Sequence, residues 1–371
     1  PVSNHWKNLT GETNLQSEDE LKPEIVISGN IIHTVWIEYK YGQTLNFWYR
    51  RSPDLGKTWD EPKKIGESFE KVNSLMLKNP FVRNLTVSGN TVHIVYSDFE
   101  WTANGAGKLY YIRSVDGGQT FETVKVISQT AVGGYVKMGS CIIRSEGGKV
   151  AIAYEKQRWI DGNNRNYGIH VIKSDDNGAT FKDTVVVDAV KNESLCDFHY
   201  DGNQMIVLHQ YAYYYYGFNV GKVYVTVSND NGASFIDHKI SEEFIDGTTT
   251  REKSNIMAQD GGFYDYRSHI YKSGSSIHIV FDDNIKTNFL TKYIRSTDNG
   301  VTFEKPVTFE DTKATDWTRP VIAGKNGKIY IALKKGGIIH TKVSADNGAT
   351  FTEAKDHFPE SFNFSAGASY I

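Results

Sequence analysis

Six repeats of about 60 residues, strands rich in aromatic and β-branched residues, and regularly spaced turn chemistry predict an all-β fold. The expected architecture is a six-bladed β-propeller of four-stranded antiparallel blades, with one box motif per blade. The box is the clearest of these signals. It first reads Ser52-Pro53-Asp54-Leu55-Gly56-Lys57-Thr58-Trp59. It returns at 114–121, 174–181, 228–235, 296–303 and 344–351, always as Ser-x-Asp-x-Gly-x-Thr/Ser-aromatic. Asp can bond the backbone ahead of it and close a tight turn. Gly supplies the positive φ of that turn, and Thr or Ser adds a second local bond. The aromatic ring is expected to bury itself under the turn and pin the hairpin to its own blade.

Each repeat reads strand A, Gly turn, strand B, loop, strand C, box, strand D. In the first, Pro23 to Ile27 is strand A and Ser28-Gly29-Asn30 is the turn. Ile31 to Ile37 is strand B, Leu45 to Arg51 is strand C, and Lys63-Lys64-Ile65 opens strand D. The second copies it through Ser88-Gly89-Asn90 and the run Thr91 to Tyr96. The other four turn at Gly147-Gly148, Gly202-Asn203, Gly274-Ser275 and Asn326-Gly327. The blades then span roughly 21–67, 80–128, 138–190, 194–243, 263–311 and 316–357, within one propeller domain over 1–371. His5 to Leu9 and Phe362 to Ser369 are the two segments available to complete a blade at the termini.

Composition narrows the partners. A formal net charge of −3 argues against nucleic acid or an anionic membrane surface. No apolar run reaches the length of a transmembrane helix. The chain opens on Pro1 in a polar context, without a signal-peptide pattern, which is compatible with a mature, processed or trimmed start. Two cysteines, Cys141 and Cys196, are no disulfide framework. They occupy matching strand A positions in neighbouring repeats, so their pairing stays open.

The A–B turn and the box turn should lie at one end of each blade. A binding face would then be built at the other end, from strand A starts and B–C loops. The residues expected there are mixed in charge and rich in aromatics. Lys22, Arg83, Ser140, Asp197, Arg267 and Arg319 lie near strand A starts. Glu38, Asp98 and Glu155 end strands B. Trp101, Trp159, Trp317, Tyr264, Tyr266 and the run Tyr213 to Tyr216 stand in or beside the loops. Rings that stack on sugar C–H faces, with charged groups for hydroxyls and carboxylates, suit a glycan. The plain alternative is that the rings pack and the charges pair or stay solvated. Alternate tyrosines of a strand face opposite ways, so at most Tyr213 and Tyr215, or the other pair, serve one surface.

The box resembles the Asp-box, or bacterial neuraminidase repeat, of the sialidase superfamily, over nearly the whole chain. That resemblance implies a carboxylate clamp of three arginines, a Tyr nucleophile activated by Glu, and an Asp acid/base. Where the family has Arg-Ile-Pro at the first strand A, this chain has Leu21-Lys22-Pro23, and the following loop, 38–43, holds no Asp. The nearest look-alike is Thr318-Arg319-Pro320-Val321-Ile322, which suggests a site entered at another blade. Arg83, Arg267 and Arg319 then bind the acidic sugar, Tyr264 or Tyr266 attacks, and Asp98 or Glu155 is the acid. Glu38, Trp101, Trp159, Trp317, Tyr213 and Tyr215 complete substrate binding. The stretch Ile25 to Asn30 with Val35-Trp36 resembles exported, uncharacterised Asp-box propellers, which implies binding and a secreted, cell-surface or periplasmic home.

The expected partner is a glycan or glycoconjugate, bound by a monomer that neither inserts into a membrane nor binds nucleic acid. No cofactor is expected. Asp161-Gly162-Asn163-Asn164 and Asp260-Gly261-Gly262 offer oxygens for a structural calcium but lack the full loop pattern, and read first as turns. His33, His93, His170, His278 and His340 recur at strand positions and read as packing. His199, in strand A, is the one histidine placed for a lyase or hydrolase role.

Overall fold

A computed structural model describes residues 24–38, 46–67, 84–97, 102–103, 107–130, 135–160, 164–188, 193–215, 218–241, 268–285, 288–313, 320–335, 338–352 and 355–356. Every regular element among them is a β-strand. The chain falls into two compact units, 1–166 with 170–185, and 167–169 with 186–371.

The first unit carries blades one and two and most of blade three, whose residues 167–169 and 186–188 fall in the second. Blade one is β1 (Glu24–Ser28), β2 (Ile31–Glu38), β3 (Asn46–Ser52) and β4 (Lys63–Glu67), paired in that order. Blade two is β5 (Leu85–Ser88), β6 (Thr91–Ser97), β8 (Lys108–Ser114) and β9 (Lys125–Gln129). Blade three is β10 (Tyr135–Glu146), β11 (Lys149–Ile160), β12 (Asn164–Ser174) and β13 (Lys182–Asp188). A two-residue strand from the blade-two loop, β7 (Thr102–Ala103), joins the free edge of β10 as a fifth strand.

The second unit carries the other three, all four-stranded. Blade four is β14 (Glu193–Tyr200), β15 (Met205–Tyr215), β16 (Phe218–Ser228) and β17 (Ile236–Lys239). Blade five is β18 (Ser268–Ser273), β19 (Ser276–Ile285), β20 (Asn288–Ser296) and β21 (Val307–Lys313). Blade six is β22 (Val321–Lys325), β23 (Lys328–Lys335), β24 (Ile338–Ser344) and β25 (Lys355–Asp356). Six successive antiparallel meanders of this order are a six-bladed β-propeller.

The box does locally what its residues require. In the blade-two box, the Ser114 hydroxyl donates to Asp116 Oδ1 (2.7 Å) and accepts the Gly118 N–H (2.8 Å). Asp116 also accepts the Thr120 N–H (2.9 Å) and hydroxyl (2.5 Å). The other five boxes repeat the set. These bonds hold the box carboxylates in their charged form. Asp298 drops to about 2, first through the Thr302 hydroxyl, then its amide and the Ser296 hydroxyl. Asp230 drops to about 2 through the Ser234 hydroxyl and amide. A backbone bond ties each box to the A–B turn of its own blade, as in Leu55 N–H to Asn30 O (3.0 Å) and Asn347 N–H to Gly327 O (3.1 Å). Box and turn therefore share one end of the blade, as the repeat predicts.

One expectation is extended. In blades two, three and six the box aromatic packs on its own blade and also seals the joint with the preceding one. Phe121 meets Tyr49 edge-on at 4.8 Å, Phe181 meets Tyr111 at 4.7 Å, and Phe351 meets Tyr293 at 4.9 Å. The box turn overhangs the neighbouring strand C, so its ring lands there. Around each contact the same side chains recur. His33, His93 and His278 place Nδ1 at 2.6–2.7 Å from the hydroxyls of Tyr49, Tyr111 and Tyr293. Arg51, Arg113 and Arg295 each donate Nη1 to a carbonyl of the next box, Gly117, Asn177 or Asn347, at 2.8–3.0 Å. Their other nitrogens hold an acid of their own blade, Asp60, Glu122 or Glu304. The blade-four to blade-five joint is made differently: Gln204 Nε2 and His238 Nε2 donate to Asn299 O and Gly300 O, both at 2.9 Å. The expected packing role of His33, His93 and His278 thus has a specific form. Burial lowers all three to about 4.

Candidate functional site

The opposite end of each blade is formed by strand A starts and strand B ends. In blade one, β2 pairs β3 with Trp36 opposite Trp48 and Glu38 opposite Asn46. The two indoles stack at 6.4 Å and 13°. One carboxylate oxygen of half-buried Glu38 accepts both the Trp48 Nε1–H and an Asn46 amide N–H, each at 3.1 Å. The strand B carboxylate is thereby oriented on a Trp pair. Trp48 and Asn46 escaped the sequence reading because their role depends on register across the 39–45 loop. The signal was available in the pairing of two β-rich runs through one loop.

In blade three, Glu155 is buried at 4% exposure in the middle of β11, not at a strand end as expected, because this strand B runs on to Ile160. Its neighbour is Cys141, whose thiol is pushed up first by burial, with the Glu155 charge adding to the shift. Asn84 Nδ2 reaches the same sulfur at 3.6 Å, and the Asn84 N–H donates to the Glu24 carboxylate at 2.5 Å. A polar chain, Glu24–Asn84–Cys141, therefore links the strand A segments of three successive blades of this unit. Cys141 and Cys196 are both free, buried thiols.

Asp197 is positioned for structure. Its Oδ1 accepts the Phe198 N–H (2.7 Å) and its Oδ2 the Ile270 N–H of blade five (2.8 Å). Both oxygens hold inner strands. The register slips at this point between Leu195 and Asp197, and in blade three between Met138 and Cys141. Such bulges bend a strand and re-aim its side chains.

Three aromatic candidates are placed by backbone alone. Trp159 in β11 stands opposite Tyr135 of β10, which stands opposite Ala103 of β7. Tyr213 and Tyr215 stand opposite Val220 and Phe218 in the blade-four hairpin. Strands β11, β12, β15 and β16 run 11–12 residues, against 7–8 for β2, β3, β6 and β8. The extra length carries these residues. Asp98, Arg83, Trp101, Tyr264, Tyr266, Arg267, Trp317 and Arg319 lie outside the described residues, as do Asp161 and Asp260 of the calcium expectation. Among the described residues, no group of three or more His, Cys, Asp or Glu is arranged to hold a metal ion. No described helix is long and apolar enough to cross a membrane.

No protein-family model and no curated relative matches this sequence. Solved structures do. A polysaccharide lyase of family PL25, an ulvan lyase, superposes with a TM-score of 0.54 at 12% identity, over 91% of this chain and 81% of its own. The same enzyme bound to -[GlcA(1-4)Rha3S]- gives the same figures. An α-L-arabinofuranosidase from Fusarium graminearum, in complex with an iminosugar inhibitor, gives 0.46 at 15% identity, over 87% and 90% of the two chains. At these identities the likeness to the lyase speaks to the fold alone.

Proposed function

We propose that this chain is an exported, glycan-directed propeller whose ligand lies over the end opposite the boxes, with an acidic sugar as its target. The observation that carries this reading is the Glu38 carboxylate, oriented by Trp48 and Asn46 on a stacked Trp pair. An oriented carboxylate beside an indole edge is suited to sugar hydroxyls and C–H faces. Arg319 is the residue proposed to take the sugar carboxylate, bidentately. Hydrolysis of a terminal acidic sugar, as in sialidases, is the catalytic form of the proposal. Non-catalytic binding is the competing form, favoured by Lys22 and by the loop without Asp at 38–43. The likeness to an ulvan lyase adds a third form, eliminative cleavage of a uronate-bearing chain.

One preparation separates them. A glycan array reports binding, a fluorogenic sialoside reports hydrolysis, and ultraviolet absorbance of an unsaturated uronate reports elimination. Arg319→Ala is the control. Turnover lost in Arg319→Ala establishes an enzyme. Array binding without turnover, lost in the same variant, establishes a lectin-like propeller. Silence in all three assays sinks the glycan reading.

A further inference from the structure

Two grooves flank the segment that follows the blade-five box, both inside the second unit. The first, of about 430 Å³, lies against β17 and is lined by Asp237, His238, Lys239, Glu304 and Lys305. The second, of about 270 Å³, opens toward blade six and is lined by Glu304, Lys305, Phe309, Lys342 and Thr352. They share Ile294, Glu304 and Lys305, so they adjoin across that segment as a two-part track.

The charges of this track do not cancel. Glu304 is taken by Arg295 Nε and Nη2 at 3.0 and 2.7 Å. Asp237 accepts the Thr226 hydroxyl, and its charge is balanced by Lys239 of the same groove. Neither Lys305 nor Lys342 has an acid partner among the described residues. Lys305 is exposed at the shared corner. Lys342 Nζ stands 5.4 Å from the Phe309 ring centroid. That ring stacks on Tyr293 and meets Phe351 edge-on, so the floor is aromatic and rigid. Ammonium groups over an aromatic floor with a threonine hydroxyl at the side suit a sugar ring that carries an anionic substituent. Each groove is about the size of one small ligand group. A flat membrane could not enter it, and a net charge of −3 disfavours a long nucleic acid across the surrounding surface.

We propose that this track is a second carbohydrate site, which takes successive residues of a sulfated or uronate-bearing polysaccharide. It rests on the glycan reading above and adds the charge class of the ligand. The test is affinity for immobilised dextran sulfate and polygalacturonate, with neutral dextran as reference, at low and high salt. The chain is expected to bind the two polyanions and not dextran, and salt should weaken binding. Lys305→Gln/Lys342→Gln should bind about tenfold more weakly, with Lys305→Gln alone intermediate and the urea midpoint unchanged in each. Unchanged affinity in the double variant overturns the proposal. So does failure to bind either polyanion, or equal affinity for phosphatidylserine vesicles or single-stranded DNA. Arg319→Ala keeps the two readings apart, because it alters only the proposed far-end site, while Lys305→Gln/Lys342→Gln alters only the track. Normal polyanion binding by the double variant, with array binding lost in Arg319→Ala, sinks the track alone. Loss of polyanion binding in the double variant, with a silent array, sinks the other site and leaves the track standing.

Discussion

Gly118→Ala tests the blade joint directly. Gly118 has φ +84°, and a Cβ built there would overlap the Tyr49 hydroxyl of the preceding blade. Two terms follow. An L-residue at positive φ costs about 1–2 kcal/mol. Displacing Tyr49 breaks its 2.7 Å bond to His33 and its edge-on contact with Phe121. Losing that buried bond and ring contact costs about 2–4 kcal/mol more. Gly29→Ala supplies the reference. Gly29 has φ +60° and nothing within 4 Å of an added Cβ, so only the first term applies. Urea unfolding of both variants should show Gly118→Ala less stable than Gly29→Ala by about 2–4 kcal/mol, with parallel slopes. Tyr49→Phe removes the hydroxyl, the nearest of the three Tyr49 atoms that are struck. The pair Tyr49→Phe/Gly118→Ala should therefore cost less than the sum of its singles by at least about 1 kcal/mol. Equal losses in the two glycine variants, together with additivity in the double, would refute the joint described here.

Two further predictions concern titration and reactivity. His33, His93 and His278 are held near 4, below the ordinary 6.5, because burial disfavours the charged ring. The unfolded chain thus binds more protons between these values. Stability should be full above about pH 6.5 and fall as pH drops through 4, and His93→Gln should flatten that slope in pH-dependent urea midpoints. An unchanged slope would show that His93 is not a buried neutral group. Cys141 and Cys196 are buried free thiols, and burial pushes Cys141 up. Thiol titration should find neither in the native chain and both after denaturation without reductant; a denatured count of zero would mean a disulfide.

The turns, the strands and their six-fold repetition were legible in the residues alone. The turns rest on bonds that reach two to four residues, such as Ser114 to Asp116 and Thr120 to Asp116. Groups that close in sequence must meet whenever the turn forms, so residue identity and spacing are enough. The joints were decided by tertiary structure. Arg51 finds the Gly117 carbonyl 66 residues away, and nothing around either residue announces the other. The aromatic of each box shows in the sequence that a ring is buried, but only the overhang of the box turn shows that Tyr49, Tyr111 or Tyr293 of the preceding blade receives it. Asp197 reads as a ligand candidate from its place at a strand A start, yet the bulge beside it turns both oxygens onto backbone amides. Glu38 reads as one acid among several until register brings Trp48 and Asn46 to it. Pairing partners across a loop depend on strand twist and packing, which act over the whole blade and leave no local mark on the residues they bring together.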